Sequence, residues 1–444
     1  MRFFHISDLH LGKTLRGYDL LEDQSFIVEK IVQAIALRKP DGLLIAGDIY
    51  DRAVPPVEAV QLFDHFLGSA RRAGGKGMAI VAIPGNHDSG GRLGFGASLL
   101  AQAGLYIAAR ADVEPVVLRD SGGKTCAVWA LPFLHQANAP WEDWARQALQ
   151  AGQAAQAAQP AQAAQAAQAA QAVQPAQPAQ AAQAAQAAQA AAGDSMSGGA
   201  APKIRSQEEM FKLALGRIKS RLGHYEHNVI LAHCFAAGSR VSESETGFIG
   251  TAEQVGSELF AGFDYAALGH LHSCQSPGPF VWYSGAPLAF GVAEGGEERG
   301  YIEINLDEGK CRVEFRPLSP KRKIRKINGY FDELLALAAA DPGREDFVEF
   351  QLVDEEAVLN AAERLKAFYP RLLSVRQRAF EAGLGAESKD EEEASALDLR
   401  GGDSLEAVKV DFIDFYRELK GSEPSDKELA LFEKLAKEAA DASE

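Results

Sequence analysis

Five short apolar runs in this chain each end in a residue able to bind a metal ion, and that recurrence constrains the fold more than any other feature. The first run ends in Asp8-x-His10; Leu43–Ala46 leads into Gly47-Asp48, and Ile80–Ile83 leads through Pro84 into Gly85-Asn86-His87-Asp88. Val229–Ala232 leads into His233, and Tyr265–Leu268 into Gly269-His270-Leu271-His272. Read as strands, these runs place ligand-type side chains at carboxyl ends, where an open α/β sheet gathers its site. Asp8 and His10, two apart on an extended backbone, project to the same side. Seven candidate ligands and one spare histidine emerge from a chain with 10 histidines.

The segments between the first runs carry helical periodicity. Ile27, Ile31, Ala34 and Ile35 define a helix over 22–38 that Pro40 stops, and Val60, Phe63, Leu67 and Ala70 define another over 57–72, ahead of Gly74-Gly75. A β-α-β-α-β order results, the start of a layered α/β domain.

Residues 151–192 break that pattern with Ala-Ala-Gln triplets, no charge, and prolines at Pro160, Pro175 and Pro178. Without large apolar side chains such a tract has nothing to anchor it to a core, so it is expected to be an exposed insertion, continued by a linker to residue 201. Helical spacing resumes with Phe211, Leu215, Ile218 and Leu222, and strands are expected at 281–283, 301–306 and 311–315. The main domain is thus expected over residues 1–319. A smaller α/β domain follows over 320–386, with helices at 331–337 and 358–368 and strands at 347–352 and 372–376. An acidic linker spans 387–403. The tail, 404–441, reads as two amphipathic helices, with Leu405, Val408, Phe412, Phe415 and Leu419 on one and Leu429, Phe432 and Leu435 on the other. Stripes of this kind on a pair of short helices suit a partner-binding hairpin.

The formal net charge is -16, so attraction to nucleic acid has to come from local basic groups, metal ions or a partner. Lys13, Arg16, Arg52 and Arg92 follow the strand ends, and Lys321-Arg322-Lys323-Ile324-Arg325-Lys326 is a denser basic run, read either as a DNA contact or as a solvated linker. Cys126, Cys234, Cys274 and Cys311 form no CxxC pair, which suits a reducing cytosol, and no apolar run is long enough to cross a membrane.

Mixed carboxylate and imidazole ligands favour Mn²⁺, Fe²⁺ or Zn²⁺ over Mg²⁺. Two such ions about 3.5–4 Å apart can polarise a phosphodiester and stabilise both entering and leaving oxygens. A shared carboxylate is then required, and Asp48 is the natural bridge.

The ordered set Asp8-x-His10, Gly47-Asp48-x-x-Asp51, Gly85-Asn86-His87-Asp88, His233 and Gly269-His270-x-His272 resembles the calcineurin-like metallophosphoesterase superfamily. Within it, the chain is most similar to the SbcD family of bacterial nuclease subunits and their archaeal and eukaryotic double-strand-break repair relatives. The resemblance takes in Ser284-Gly-Ala-Pro-Leu-Ala-Phe290, the small domain as a cap and the tail helices, and leaves out only the Ala/Gln tract. It implies a metallophosphoesterase sandwich in which Asp8, His10, Asp48 and His272 hold one Mn²⁺ and Asp48, Asn86, His233 and His270 the other. His87 takes the catalytic position. Asp51 and Asp88 are expected to fix loops rather than bind metal.

The resemblance further implies a cytoplasmic Mn²⁺-dependent DNA exonuclease and endonuclease acting in repair, recombination and replication, with an SbcC-like ATPase as partner and a homodimer within a heterotetramer. The chain itself lacks a G-x-x-x-x-G-K-[ST] nucleotide loop. A small-molecule phosphomonoesterase or cyclic-nucleotide phosphodiesterase is the competing reading, and it has no need of a cap, basic run or tail hairpin.

Overall fold

Parallel strands buried on both faces need cover on both sides, and two sheets of this chain supply it by stacking on each other. The computed structural model describes residues 1–111, 113–120, 122–150, 203–241, 254–307 and 310–379, with Pro424, Leu429 and Phe432. The Ala/Gln tract, the acidic linker and the rest of the expected tail hairpin lie outside the described residues.

In chain order the main elements are β1 (Arg2–Ile6), α1 (Leu21–Arg38), β2 (Gly42–Ala46), α2 (Val57–Gly74), β3 (Ala79–Ile83), β4 (Leu105–Ile107), β5 (Val116–Arg119) and β6 (Thr125–Leu131). Then come α3 (Gln207–Lys219), β7 (His227–His233), β8 (Tyr265–Gly269), β9 (Gln275–Gly278), β10 (Val281–Tyr283), β11 (Gly300–Asp307) and β12 (Lys310–Pro317). The first sheet runs β12-β11-β1-β2-β3-β4, parallel from β1 to β4 and antiparallel at β11 and β12. The second runs β9-β10-β8-β7-β6-β5, parallel through β10, β8, β7 and β6.

Strand alternation divides the core. Phe3, Leu44, Val81, Val128, Val229 and Tyr265 meet between the sheets, whereas Phe4, Ile6, Leu43, Ile45 and Ile80 face away from that centre and pack on α1 and α2. Trp129, Ile230, Ala266 and Leu268 pack with Phe211 and Leu215 of α3 on the far side of the second sheet. The result is four layers, α-β-β-α. One polar tie crosses the middle: the Tyr265 hydroxyl is 3.0 Å from His5 Nδ1, and His5 Nε2 donates to the Leu268 carbonyl at 3.1 Å. Burial pushes the His5 pKa down to about 3, so the ring stays neutral there.

The smaller domain forms a three-stranded sheet in the order β13 (Ile324–Gly329), β14 (Phe347–Leu352), β15 (Leu372–Gln377), with α4 (Phe331–Ala338) and α5 (Ala361–Lys366). Met1–Gln351 and Asn360–Arg376 make up one compact unit. Leu352–Leu359 and Gln377 fall in another, where Gln377 Oε1 accepts from the Val358 amide at 2.8 Å.

The basic run at 321–326 is neither a free linker nor an open cationic patch. Arg322 Nη1 is 2.6 Å from Asp23 Oδ2, and both Lys321 and Arg322 pair with Glu22. Arg325 is held by Asp341 at 2.7 Å and Asp346 at 3.0 Å. Lys321, Arg322 and Arg325 are thus spent on docking and bracing the small domain, while Lys323 and Lys326 stay exposed. Arg16, expected to contact phosphate, instead pairs with Glu349 of β14 at 3.3 Å.

Candidate metal centre

The carboxyl ends of β1, β2, β3, β7 and β8 meet at one point, and all eight sequence-derived residues come together there. Asp8, His10 and His272 place one ligand atom each within 4.8 Å of one another, and so do Asp48, His233 and His270. A third grouping of the same spacing joins His10, Asp48 and His87, so Asp48 stands in two of the three.

The backbone is forced to deliver these side chains. Asp8, His10, Asp48 and His270 all have positive φ (54°, 43°, 48° and 110°), a region costly for residues with a Cβ. Their neighbours are chosen for close approach. A Cβ on Gly85 would collide with the Asp48 carboxylate, and one on Gly269 with the Ala46 carbonyl. That carbonyl accepts from His233 Nδ1 at 2.8 Å.

Hydrogen bonds at the back of His233 and His272 decide which nitrogen faces the centre. His233 Nδ1 is committed to the Ala46 carbonyl, which turns Nε2 to the centre, 3.0 Å from Asn86 Oδ1 and 3.4 Å from Asp48 Oδ2. His270 Nδ1 approaches the same Asn86 oxygen at 3.1 Å. On the other side, His272 Nδ1 is 3.1 Å from Glu294 Oε1 and His10 Nδ1 is 3.4 Å from Asp51 Oδ1, while their Nε2 atoms lie 3.2 Å apart. Two imidazole lone pairs aimed at one point repel unless a cation lies between them. Soft thiolates are missing from this set, and the nitrogen and oxygen donors fit divalent ions of the Mn²⁺, Fe²⁺ and Zn²⁺ group.

Titration reflects the same crowding. Burial, with Asp48 adding repulsion, raises Asp8 to about 7. Burial opposes ionisation of Asp48 too, but the His233 and His10 rings outweigh it and hold its pKa far below the usual carboxylate range. For His233 burial alone would lower the pKa, yet the Asp48 carboxylate lifts it to about 9, whereas burial and His233 together push His270 down to about 3.

Asp88 ties loops together through their amides, whereas the Asp51 carboxylate binds a side chain. Asp88 accepts from the amides of Ile49, Tyr50 and Gly85 at 2.9–3.0 Å, pinning the loops after β2 and β3. Asp51 holds Lys13 Nζ at 2.6 Å. His87 donates its Nδ1 proton to the Asp51 carbonyl at 3.0 Å, and its amide donates to Asp48 Oδ1 at 2.9 Å.

Sequence reasoning missed Glu294 and Arg299. Glu294 is 1% exposed and bonds His272 through one oxygen, the Phe290 amide (3.0 Å) and Arg299 (3.3 Å) through the other. Arg299 also donates to the His272 carbonyl. Phe290 packs edge-on against the rings of His10 and His272, at 5.3 and 5.6 Å.

Residues 1–150 match the calcineurin-like phosphoesterase family. Those residues form a calcineurin-like phosphoesterase domain. That match ends before His233, His270 and His272, so the second half of this phosphoesterase site is supplied by the geometry above. Residues 320–410 match the family described as type 5 capsule protein repressor C-terminal domain, which carries the SbcD label. Over 389 residues the chain is 25% identical to the SbcD component of the nuclease SbcCD of Staphylococcus saprophyticus subsp. saprophyticus, covering 86% of each chain. A crystal structure of TT1561 from Thermus thermophilus aligns with 71% of this chain and 98% of its own, at 12% identity and a TM-score of 0.34. Among the described residues no helix is long and apolar enough to cross a membrane.

Proposed function

We propose that this phosphoesterase is the nuclease subunit of an SbcCD-like complex, hydrolysing DNA phosphodiesters with two divalent ions, Mn²⁺ in the first instance. The observation that carries the reading is the convergence of ring nitrogens and carboxylates around Asp48 from both sheets, joined to a relative of nuclease name along 86% of the chain. Asp8, His10, Asp48 and His272 would hold one ion and Asp48, Asn86, His233 and His270 the other. When bound, two such ions polarise a phosphodiester and acidify an attacking water.

The chain's own residues do the rest. Asp88 and Asp51 fix the loops that carry Asp48 and His87. The Asp51 carbonyl orients the His87 ring, 4.9 Å from that of His10, so that its other nitrogen can hold the scissile phosphate or protonate the leaving oxygen. Arg52 and Arg92 are exposed beside these loops and available to neighbouring phosphates. Phe290 shields the His10 and His272 side from water.

On this reading the activities are a 3′ to 5′ exonuclease on duplex ends and an endonuclease on single strands and hairpins, in a cytoplasmic assembly of two copies with an SbcC-like ATPase. The tail stripes from Leu405 to Leu435 are the expected ATPase contact. Purified chain given Mn²⁺ should cut linear duplex and hairpin DNA much faster than it hydrolyses a generic phosphomonoester. Preference for the phosphomonoester would replace the nuclease reading with the small-molecule one. Truncation after Lys389 should abolish copurification of the ATPase while metal-dependent cutting of a short single strand persists.

A further inference from the structure

Consecutive residues in the first turn of α1 face two different parts of the molecule. Glu22 and Asp23 hold Lys321 and Arg322 at the seam between the phosphoesterase core and the small domain. Gln24, the next residue, is 2% exposed and meets the loop that follows β1. Its Nε2 donates to the His10 carbonyl at 2.7 Å and lies 3.4 Å from the Leu9 carbonyl, while its Oε1 accepts from the Gly12 amide at 3.0 Å. A primary amide suits this place because it offers donor and acceptor together. The helix itself does not call for one: Gln24 heads the row continued by Ile27, Val28, Ile31 and Ile35, all of them buried and apolar.

The loop it meets is one that has to be held. His10 has a φ of 43° and Gly12 one of 86°, both left-handed. The loop after β2 supports one side, where the amides of His10 and Leu11 donate to the carbonyls of Asp48 and Ile49 at 3.0 and 2.9 Å. Gln24 supports the other side through the carbonyls of Leu9 and His10, the second of which it shares with the Lys13 amide at 3.0 Å. Both peptide groups that flank the His10 Cα are therefore gripped at the N–H end by the β2 loop and at the C=O end by Gln24. With those two planes fixed, so is the direction in which the His10 side chain leaves the backbone.

We propose that Gln24 is a positioning residue of the metal centre: by clamping the peptides on either side of His10 it aims the imidazole at His272, and so sets the affinity for the ion those two rings share. It acts through the main chain and touches neither ion nor substrate. The proposal rests on the reading of His10 as a metal ligand and not on which phosphodiester is cut.

The test is Mn²⁺ binding by the full chain without substrate, followed by calorimetry and by the electron paramagnetic resonance of the bound ion. His10→Ala and His233→Ala first mark which site is which. Gln24→Met keeps the length and removes the amide; it is expected to weaken the site marked by His10→Ala about tenfold or more and to leave the other within about twofold. Gln24→Glu keeps the shape and the acceptor for Gly12 but, as a carboxylate, has no proton for the carbonyls, so it should weaken the same site, and it carries the test if melting curves show Gln24→Met unfolded. Ile31→Val, a buried change on the same helix that lowers stability, should leave both sites as they were. Unchanged affinities in the Gln24 variants, equal weakening of both sites, or the same selective loss in Ile31→Val would each overturn the proposal and make Gln24 a support of the fold alone. If His10→Ala weakens a site and the Gln24 variants do not, the proposal falls and the ligand reading stands; if His10→Ala leaves both sites intact, the two fall together.

Discussion

Nε2 of His10 and Nε2 of His272 face each other across 3.2 Å from positions 262 residues apart in the chain. Each ring has a carboxylate near its opposite nitrogen, Asp51 at 3.4 Å and Glu294 at 3.1 Å, so both are set to offer lone pairs to a common cation.

Glu294→Gln should therefore weaken metal binding on the His10/His272 side by about 10–100-fold, because the amide no longer favours the proton on His272 Nδ1. Calorimetric titration with Mn²⁺ would read this as one weakened site beside one that is nearly unchanged. Equal weakening of both would point to a general loosening of the fold.

Asp48 touches both halves of the site, with Oδ2 3.8 Å from His10 Nε2 and 3.4 Å from His233 Nε2. Asp48→Asn should lower the occupancy of both sites, measured by elemental analysis after dialysis. A variant that kept two ions at wild-type affinity would remove Asp48 from the bridging role.

His87→Ala should leave both ions bound and cut turnover by about 10²–10⁴-fold, the usual share of a positioned acid or base. Loss of an ion from this variant would instead make His87 a ligand, as its grouping with His10 and Asp48 allows.

Arg322→Met should destabilise the chain by about 3–5 kcal/mol, because Asp23, 1% exposed, would keep a buried charge with no partner. Denaturant unfolding would measure it. A loss below about 1 kcal/mol would place the pair among weak surface bridges.

Acid should loosen the same seam. Lys321 and Arg322 depress Glu22 from its ordinary 4.5 to about 2, so its stabilising contribution is complete above pH 4.5 and is lost as pH falls toward 2. Burial raises Asp23 and works in the opposite sense, which makes Glu22→Gln the informative comparison. Its stability should decline less steeply across that window than the parent's in unfolding curves taken at successive pH values.

The sequence was most legible where strand, turn and ligand fall together. Asp8, His10, Asp48, Asn86, His87, His233, His270 and His272 each follow an apolar run, and packing around Asp48 explains why glycine precedes several of them. The helices over 21–38, 57–74 and 207–219 appear close to where periodicity set them, whereas the expected helix over 358–368 is confined to Ala361–Lys366. The strands at 105–107, 116–119 and 125–131 escaped notice, since they are short or pass through the middle of the sandwich without a chemical marker. Glu294 and Arg299 sit in Glu294-Gly-Gly-Glu-Glu-Arg299, which looks like a solvated loop. Only tertiary burial reveals them as supports. The basic run misled for the same reason: its partners Glu22 and Asp23 lie about 300 residues away, at separations of 299 and 300.

Asp8, His10, Asp48 and His270 are held in backbone conformations that residues with a side chain avoid. Such a frame behaves like a set trap. Residues pinned in this way leave the site little room to rearrange, so it stays stiff during turnover. The cost falls on the rest of the sandwich, and a chain released from catalysis would drift toward glycine at these four positions, gaining stability as it lost its grip on metal.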